Sequence, residues 1–127
     1  MNKFAELLKG FDLEYFGTAK HKIGVMDVLA MVKEDKAIFL DVRTKEEVAI
    51  LKYSFAYNIP LNELPERKEE LVKDKLIAIF CGASARAAMA SMYLQVNGYD
   101  NVKLVTESNG ELANLIKPGF ALKRSRG

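Results

Sequence analysis

The residues of this chain best suited to chemistry lie between its only cysteine, Cys81, and Arg86. The four residues between them are all small, namely Gly82, Ala83, Ser84 and Ala85. Small side chains leave room for backbone N–H groups to turn toward the sulfur, and the Ser84 hydroxyl adds a further donor. Because the thiolate is the nucleophilic form of cysteine, such donors and the Arg86 charge favour a reactive sulfur. The pattern predicts a nucleophilic cysteine in an anion-binding loop.

This loop is expected where a buried strand meets a helix. Residues 76–80 form a continuous apolar run, which is typical of a central strand in a parallel sheet. Residues 87–96 are rich in Ala, Met and Leu, and Asn97-Gly98 follows as a helix stop. Ligands bind beyond the carboxyl ends of parallel strands, and helix N-termini favour anions. The alternative is that Cys81 is a small apolar residue that ends a core strand.

Length and composition limit the possible functions. The chain has 127 residues, enough for one domain with one core, and a net charge of +2, which favours neither nucleic acid nor a membrane as partner. One cysteine excludes an internal disulfide and a Cys-x-x-Cys mechanism, and the ligand set of a zinc site is missing. No signal peptide or apolar segment of membrane length is visible, so a cytoplasmic location is expected.

Strands and helices alternate along the chain. Besides 76–80, strands are predicted over residues 19–23, 37–40, 52–58 and 101–105. Besides 87–96, helices are predicted over residues 2–9, 25–33, 45–51 and 65–72, and from Ser108 to a stop at Pro118-Gly119. Thr44 and Ser108 each begin a capping box. The alternation predicts an α/β fold with a parallel sheet of about five strands and helices on both faces.

Three segments are expected along the chain. Residues 1–18 form an N-terminal helix and extension, residues 19–120 form the domain, and residues 121–127 form a basic, solubilising tail. His21, the only histidine, is expected at the surface.

Motifs spread over residues 20–116 match one known family. They are Ile38-Phe39-Leu40-Asp41-Val42-Arg43, Glu46-Glu47, Asn58-Ile59-Pro60-Leu61, Ile79-Phe80-Cys81, Arg86, Leu94, Gly98-Tyr99 and Asn101-Val102. With these motifs the chain resembles the single-domain rhodaneses, which are sulfurtransferases. The resemblance implies a rhodanese-like fold, in which a five-stranded parallel sheet is flanked by helices on both faces.

The resemblance also implies a mechanism. Cys81 would attack the outer sulfur of a small donor, polysulfide or thiosulfate, and become a persulfide. The persulfide would pass its sulfur to cyanide, a thiol or a protein persulfide acceptor, with no metal or organic cofactor. Backbone N–H groups of residues 82–86 would hold the sulfur atoms, and Arg86 would stabilise the anionic loop or the donor. Asp41 and Arg43 match the family's Asp-Val-Arg segment and are expected to be architectural.

Loop length separates this family from related enzymes. The related phosphatases and arsenate reductases have five residues between cysteine and arginine, whereas this chain has four. The shorter loop fits a sulfane sulfur better than a tetrahedral oxyanion.

The chain departs from the usual rhodanese pattern at several positions. Residues 51–56 replace a Gly-His-Ile-x-Gly-Ala segment, and Ser108-Asn109-Gly110 stands where a Gly-Gly and Trp signature is usual. Gly82 stands where a basic residue is frequent, and Ser84 replaces a glycine. The loop is similar to that of polysulfide-sulfur transferases, which favours polysulfide or a protein persulfide over thiosulfate as donor.

Two alternatives remain open from the sequence. Tyr53, Phe55 and Tyr57 either form the rim of the site or belong to the core. The chain itself is either a catalytic sulfurtransferase or a non-catalytic rhodanese-fold module that binds a protein or senses oxidants through Cys81.

Overall fold

A computed structural model of the chain describes residues 2–116 and Ser125. The strands in this part are β1 (Lys22–Ile23), β2 (Ala37–Asp41), β3 (Tyr57–Asn58), β4 (Leu76–Phe80) and β5 (Val102–Val105). The helices are α1 (Lys3–Lys9), α2 (Leu13–Thr18), α3 (Val25–Lys33), α4 (Lys45–Ile50), α5 (Leu64–Arg67), α6 (Ala85–Val96) and α7 (Asn109–Ala113). The predicted stop at Pro118-Gly119 and the basic tail, apart from Ser125, lie outside the described residues.

The five strands form one parallel sheet in the order β1-β5-β4-β2-β3, which confirms the predicted fold class. From β4 the chain continues to β5 on one side, and from β2 it continues to β3 on the other. The direction of the connections therefore reverses between β2 and β4. The crevice beyond such a reversal is where open α/β sheets bind ligands. Cys81 directly follows β4 and therefore lies at this crevice.

Alternate residues of β4 pack into two different apolar layers. Ile77 and Ile79 pack with residues of α6, while Ala78 and Phe80 pack with residues of α3. Helices therefore cover both faces of the sheet, as predicted. Because side chains alternate along a strand, Cys81 continues the face of Ile77 and Ile79 and points toward α6.

A buried ion pair lies at the carboxyl end of β2, at the same edge of the sheet. The side chains of Asp41 and Arg43 are 1% and 2% exposed, and Arg43 Nη2 lies 2.7 Å from Asp41 Oδ2. Arg43 Nη2 also donates to the Leu51 carbonyl at 2.8 Å. The guanidinium carbon lies 4.9 Å from the centre of the Tyr53 ring. Loss of either charge would leave the other buried and unpaired, which fits the predicted architectural role. That role itself stays a prediction.

The starts of two helices were predicted correctly, because local capping determines them, although α7 ends at Ala113 and a 3-10 turn over Asn114–Ile116 follows. The Thr44 and Ser108 side chains both accept from the third helical residue, whose Glu carboxylate accepts from the backbone of the cap. After α6, Gly98 adopts a φ of 87°, the left-handed conformation expected of a helix stop.

The strand predicted over residues 52–58 was wrong for most of its length. Only Tyr57–Asn58 pairs with β2, because the preceding aromatic residues enter the core. The Tyr53 ring packs 5.7 Å from that of Phe80, and the Phe55 ring packs 5.0 Å from that of Phe39. Aromatic burial here replaces strand pairing.

Three other segments also differ from the predictions. Residues 13–18 form α2, which was not predicted, with the Asp12 side chain as its N-cap. The helix predicted over residues 65–72 is instead the short α5 followed by a 3-10 turn over Lys68–Glu70. His21, expected at the surface, is partly buried and stacks 4.7 Å from the Tyr15 ring.

Candidate active site

The sulfur of Cys81 is buried and held by a backbone donor. Cys81 is 4% exposed, and its Sγ accepts a hydrogen bond from the Ala87 N–H at 3.2 Å. Ala87 lies in the first turn of α6, where N–H groups have no partner within the helix. Such a donor and the positive end of the helix dipole stabilise negative charge on the sulfur. The sequence analysis expected the backbone N–H donors at residues 82–86, whereas the donor in the structure, Ala87, lies one residue further along the chain.

A strained turn directs α6 toward the sulfur. Ser84 has a φ of 61° and a ψ of −31°, a backbone conformation that favours glycine. The Ala85 N–H donates to the Ala83 carbonyl at 2.8 Å, which tightens the bend. Strain of this kind costs on the order of 1–3 kcal/mol and is concentrated at functional sites. Ser84 therefore holds a conformation that the usual rhodanese glycine would adopt without strain.

A cavity of about 240 Å³ opens beside Cys81. Residues 81–84 and Ala87 line one side, and residues 104–108 line the other. The structure therefore brings Cys81 and three of the four predicted loop residues around one space. Ala85 and Arg86 do not line it.

Arg86 is paired with a carboxylate that the sequence prediction missed. Its Nη1 and Nη2 lie 2.5 and 3.0 Å from the two carboxylate oxygens of Glu47. Arg86 lines a second cavity of about 550 Å³, on the side of α4. Hydrogen bonding to Glu47 raises the pKa of Arg86, and the charge of Cys81 contributes in the same direction. A stabilising role for Arg86 in catalysis stays a prediction.

Glu47 connects the cap of α4 to the Cys81 loop. One of its oxygens also accepts from the Thr44 N–H and from the Thr44 hydroxyl, at 3.1 and 3.0 Å. These contacts, above all those from Arg86, lower the pKa of Glu47 to about 2. The Thr44-Lys45-Glu46-Glu47 capping box was visible in the sequence, but its pairing with Arg86 spans 39 residues and was not.

Asn109 covers the loop at Gly82. A Cβ atom at position 82 would lie 2.9 Å from Asn109 Nδ2 and 3.7 Å from Arg86 Nη2. Asn109 is held in place because its Oδ1 accepts from the Tyr53 hydroxyl at 2.8 Å. A side chain at position 82 would therefore disturb this hydrogen bond. Gly82 and Asn109, two departures from the rhodanese pattern, are sterically matched.

The aromatic residues predicted as a possible rim do not line the Cys81 cavity. Tyr53 is 1% exposed and belongs to the core, and Phe55 packs against that core. Tyr57 is 42% exposed, and its hydroxyl donates to Glu70. The core interpretation is thus correct for Tyr53 and Phe55.

Residues 2–116 and Ser125 contain no group of three or more His, Cys, Asp or Glu side chains that could hold a metal ion. Within the same part of the chain, no helix has the length and apolar character needed to cross a membrane.

Comparison with known proteins identifies the family. The family sequence model of the rhodanese-like domain matches residues 25–112, which is more than half of the chain. The chain belongs to the rhodanese-like family. This confirms the resemblance found in the sequence, and the matched region includes Cys81, its loop and Glu47.

Individual relatives cover the chain to different extents. A sulfurtransferase of Allochromatium vinosum is 32% identical over 68 residues, which is 54% of this chain and 64% of the relative. A tRNA uridine(34) hydroxylase of Erwinia tasmaniensis is 33% identical over 82 residues, which is 60% of this chain but 23% of the relative. The structure of a single-domain sulfurtransferase of Saccharomyces cerevisiae is similar with a TM-score of 0.62 and 28% identity, covering 73% of this chain and 89% of that one.

The Arg86 pairing predicts a specific titration of Glu47 in this rhodanese-like domain. In Arg86→Gln, the pKa of Glu47 should rise from about 2 toward its ordinary value of 4.5. Because the pKa is lowered by folding, the stability from this pair is present above about pH 4.5 and is lost as the pH falls toward 2. The side-chain carboxyl carbon, followed by NMR against pH, measures the shift.

The matched control is Arg67→Gln, which removes an arginine that pairs with Glu63 and Glu70 instead. It should leave the Glu47 titration unchanged. An unchanged pKa of Glu47 in Arg86→Gln would contradict the pairing.

The match between Gly82 and Asn109 predicts energetic coupling. Gly82→Ala should lower the free energy of unfolding by about 1–3 kcal/mol, because the new methyl group overpacks against the anchored amide. In the Asn109→Ala background, Gly82→Ala should lower the free energy of unfolding by about 1 kcal/mol less, because the amide that the new methyl group meets is absent. Urea unfolding of the two single variants and the double variant measures the coupling.

Gly17→Ala provides the control, since a Cβ there would meet no atom within 4 Å. Its effect should add to that of Asn109→Ala without coupling. Additive effects of Gly82→Ala and Asn109→Ala would show that the contact has no energetic consequence.

Proposed function

We propose that this chain is a rhodanese-type sulfurtransferase that carries a sulfane sulfur as a persulfide on Cys81. The donor is polysulfide or thiosulfate, and the acceptor is cyanide, a thiol or a protein persulfide acceptor. The observation that supports this most directly is the Cys81 Sγ, which accepts from the first turn of α6 and faces a cavity. Membership of the rhodanese-like family and the sulfurtransferase relatives support the same reaction class.

The proposed first step transfers one sulfur atom to Cys81. The thiolate attacks the outer sulfur of the donor and forms a new S–S bond. The S–S bond within the donor breaks, and its electron pair leaves with the rest of the donor, which is sulfite in the case of thiosulfate. The product on the protein is a persulfide anion, so no external oxidant or reductant takes part.

The second step returns the enzyme to its starting state. With cyanide as acceptor, the cyanide carbon attacks the outer sulfur of the persulfide and leaves as thiocyanate, while Cys81 recovers its thiolate. Both steps move a sulfur atom between nucleophiles and need neither a metal nor an organic cofactor, so we propose none.

The loop is proposed to hold the transferred sulfur with backbone donors. The Ala87 N–H already donates to Sγ, and residues 82–84 line the space where the outer sulfur would lie, so we propose their N–H groups as further donors. Fixed N–H dipoles stabilise an anion without reorganising during the reaction. Small residues allow this close approach, because larger side chains would fill a cavity of only about 240 Å³.

Arg86 is proposed to act from behind the loop. Its Nη2 would lie 3.7 Å from a Cβ atom placed at Gly82. Nη1 and Nη2 both donate hydrogen bonds to the Glu47 carboxylate. The guanidinium therefore fixes the loop against α4 and adds positive charge near the sulfur, rather than binding the donor within the Cys81 cavity.

Intact mass spectrometry tests the proposal. Incubation with polysulfide or with thiosulfate should add the mass of one sulfur atom to the wild-type protein, and cyanide should remove it. Cys81→Ser should gain none, since the hydroxyl does not replace the thiolate as nucleophile. The serine variant should keep the fold, because the substitution is nearly isosteric, and circular dichroism checks this.

Thiocyanate formation from the same samples measures turnover. Absence of sulfur on the wild type with both donors would overturn the proposal and favour the non-catalytic module. Equal sulfur gain in Cys81→Ser would overturn the assignment of the carrier residue.

A further inference from the structure

We infer that Glu107 makes the Cys81 cavity select against dianionic sulfur donors, so that the donor in use is a monoanionic persulfide rather than a dianion such as thiosulfate. This inference rests on the proposed sulfurtransferase function and assigns the charge of its substrate. It concerns a residue between β5 and α7 that the loop motif does not include.

The Glu107 carboxylate is fixed at the wall of the cavity. Its Oε1 accepts from the Val25 N–H at 3.0 Å and from the Thr106 hydroxyl at 2.8 Å. Val25 is the first residue of α3, and the N-cap of that helix, Gly24, supplies no side-chain acceptor. Glu107 therefore caps α3 from a position 82 residues away in the sequence. These two hydrogen bonds favour one position of the Glu107 side chain, at the wall of the cavity.

The charges around the cavity favour a donor of low negative charge. Among the described residues that line it, none is Lys, Arg or His, and Glu107 is the one carboxylate. The guanidinium of Arg86 lines the other cavity and is bonded to Glu47. A dianion that approaches Cys81 therefore meets the Cys81 thiolate and the Glu107 carboxylate, and no cationic side chain lines this part of the cavity. Repulsion acts on each unit of donor charge, so thiosulfate is disfavoured more than a monoanion.

The other explanation of Glu107 is purely structural, because it caps α3. Glu107→Gln separates the two roles. The glutamine amide keeps an oxygen that accepts from the Val25 N–H, but it carries no charge. A structural role predicts little change in donor preference, whereas the electrostatic role predicts a changed preference with the fold intact.

Two donors that differ by one charge give a matched comparison. Thiosulfate is a dianion, and methanethiosulfonate is a monoanion. In both, the Cys81 thiolate bonds to the outer sulfur as the donor S–S bond breaks, and the electron pair leaves with sulfite or with methanesulfinate. Each reaction leaves the same persulfide on Cys81, so the ratio of their kcat/KM values reports the effect of donor charge.

In Glu107→Gln, the kcat/KM for thiosulfate should rise about three- to tenfold relative to that for methanethiosulfonate, the size expected for one partly screened charge. In the wild type, added salt should raise the kcat/KM for thiosulfate relative to that for methanethiosulfonate, because salt screens the repulsion. The same addition of salt should change this ratio less in Glu107→Gln. The salt series on the wild type tests the same charge even if the variant folds poorly.

Asp100→Asn is the matched control, because it removes one negative charge from an exposed residue before β5, at the edge of the sheet opposite to the cavity. It should leave the donor ratio nearly unchanged. An equal effect of Glu107→Gln on both donors, or none, would overturn the inference while the proposed function stands. Absence of sulfur on wild-type Cys81 with both donors would overturn the proposed function and this inference with it.

Discussion

The site depends on one hydrogen bond, from the Ala87 N–H at the start of α6 to the sulfur of Cys81 at the end of β4. This bond exists because β4 alternates its side chains between two apolar layers, and position 81 continues the layer that α6 covers. The strained turn at Ser84 then places the first turn of the helix over the sulfur. A buried strand, a short loop and a helix N-terminus together create a place where a sulfur anion is stabilised by fixed backbone dipoles.

Side-chain charges are arranged around this sulfur rather than in contact with it. Arg86 and Glu47 neutralise each other behind the loop, and their side chains remain 32% and 37% exposed. Asp41 and Arg43 form a second, buried pair at the carboxyl end of the neighbouring strand, β2. The cavity wall opposite the loop carries Glu107. No Lys, Arg or His is among the described residues that line this cavity, so the Ala87 N–H is the donor that the structure places on the sulfur.

The sequence predicted those features that local physics determines. The apolar run 76–80, the two capping boxes and the helix stop at Gly98 depend on neighbouring residues, and all of them are present. The contacts of Glu47 with Arg86, Asn109 with Tyr53 and Glu107 with Val25 were not predicted, since they join residues 39 to 82 positions apart. The strand expected over residues 52–58 failed for the related reason that Tyr53 and Phe55 gain more by packing against Phe80 and Phe39.

We propose that backbone N–H groups of the Cys81 loop and of the first turn of α6 hold the transferred sulfur on Cys81. Amide ¹H and ¹⁵N chemical shifts, recorded before and after one equivalent of donor, measure this directly. Large shifts are expected at Ala87 and at residues 82–84, which line the cavity, and unchanged signals are expected on the opposite face of the sheet, for example at Val28 in α3. Persulfide formation, verified by mass, with an unshifted Ala87 amide would show that this N–H group does not hold the transferred sulfur.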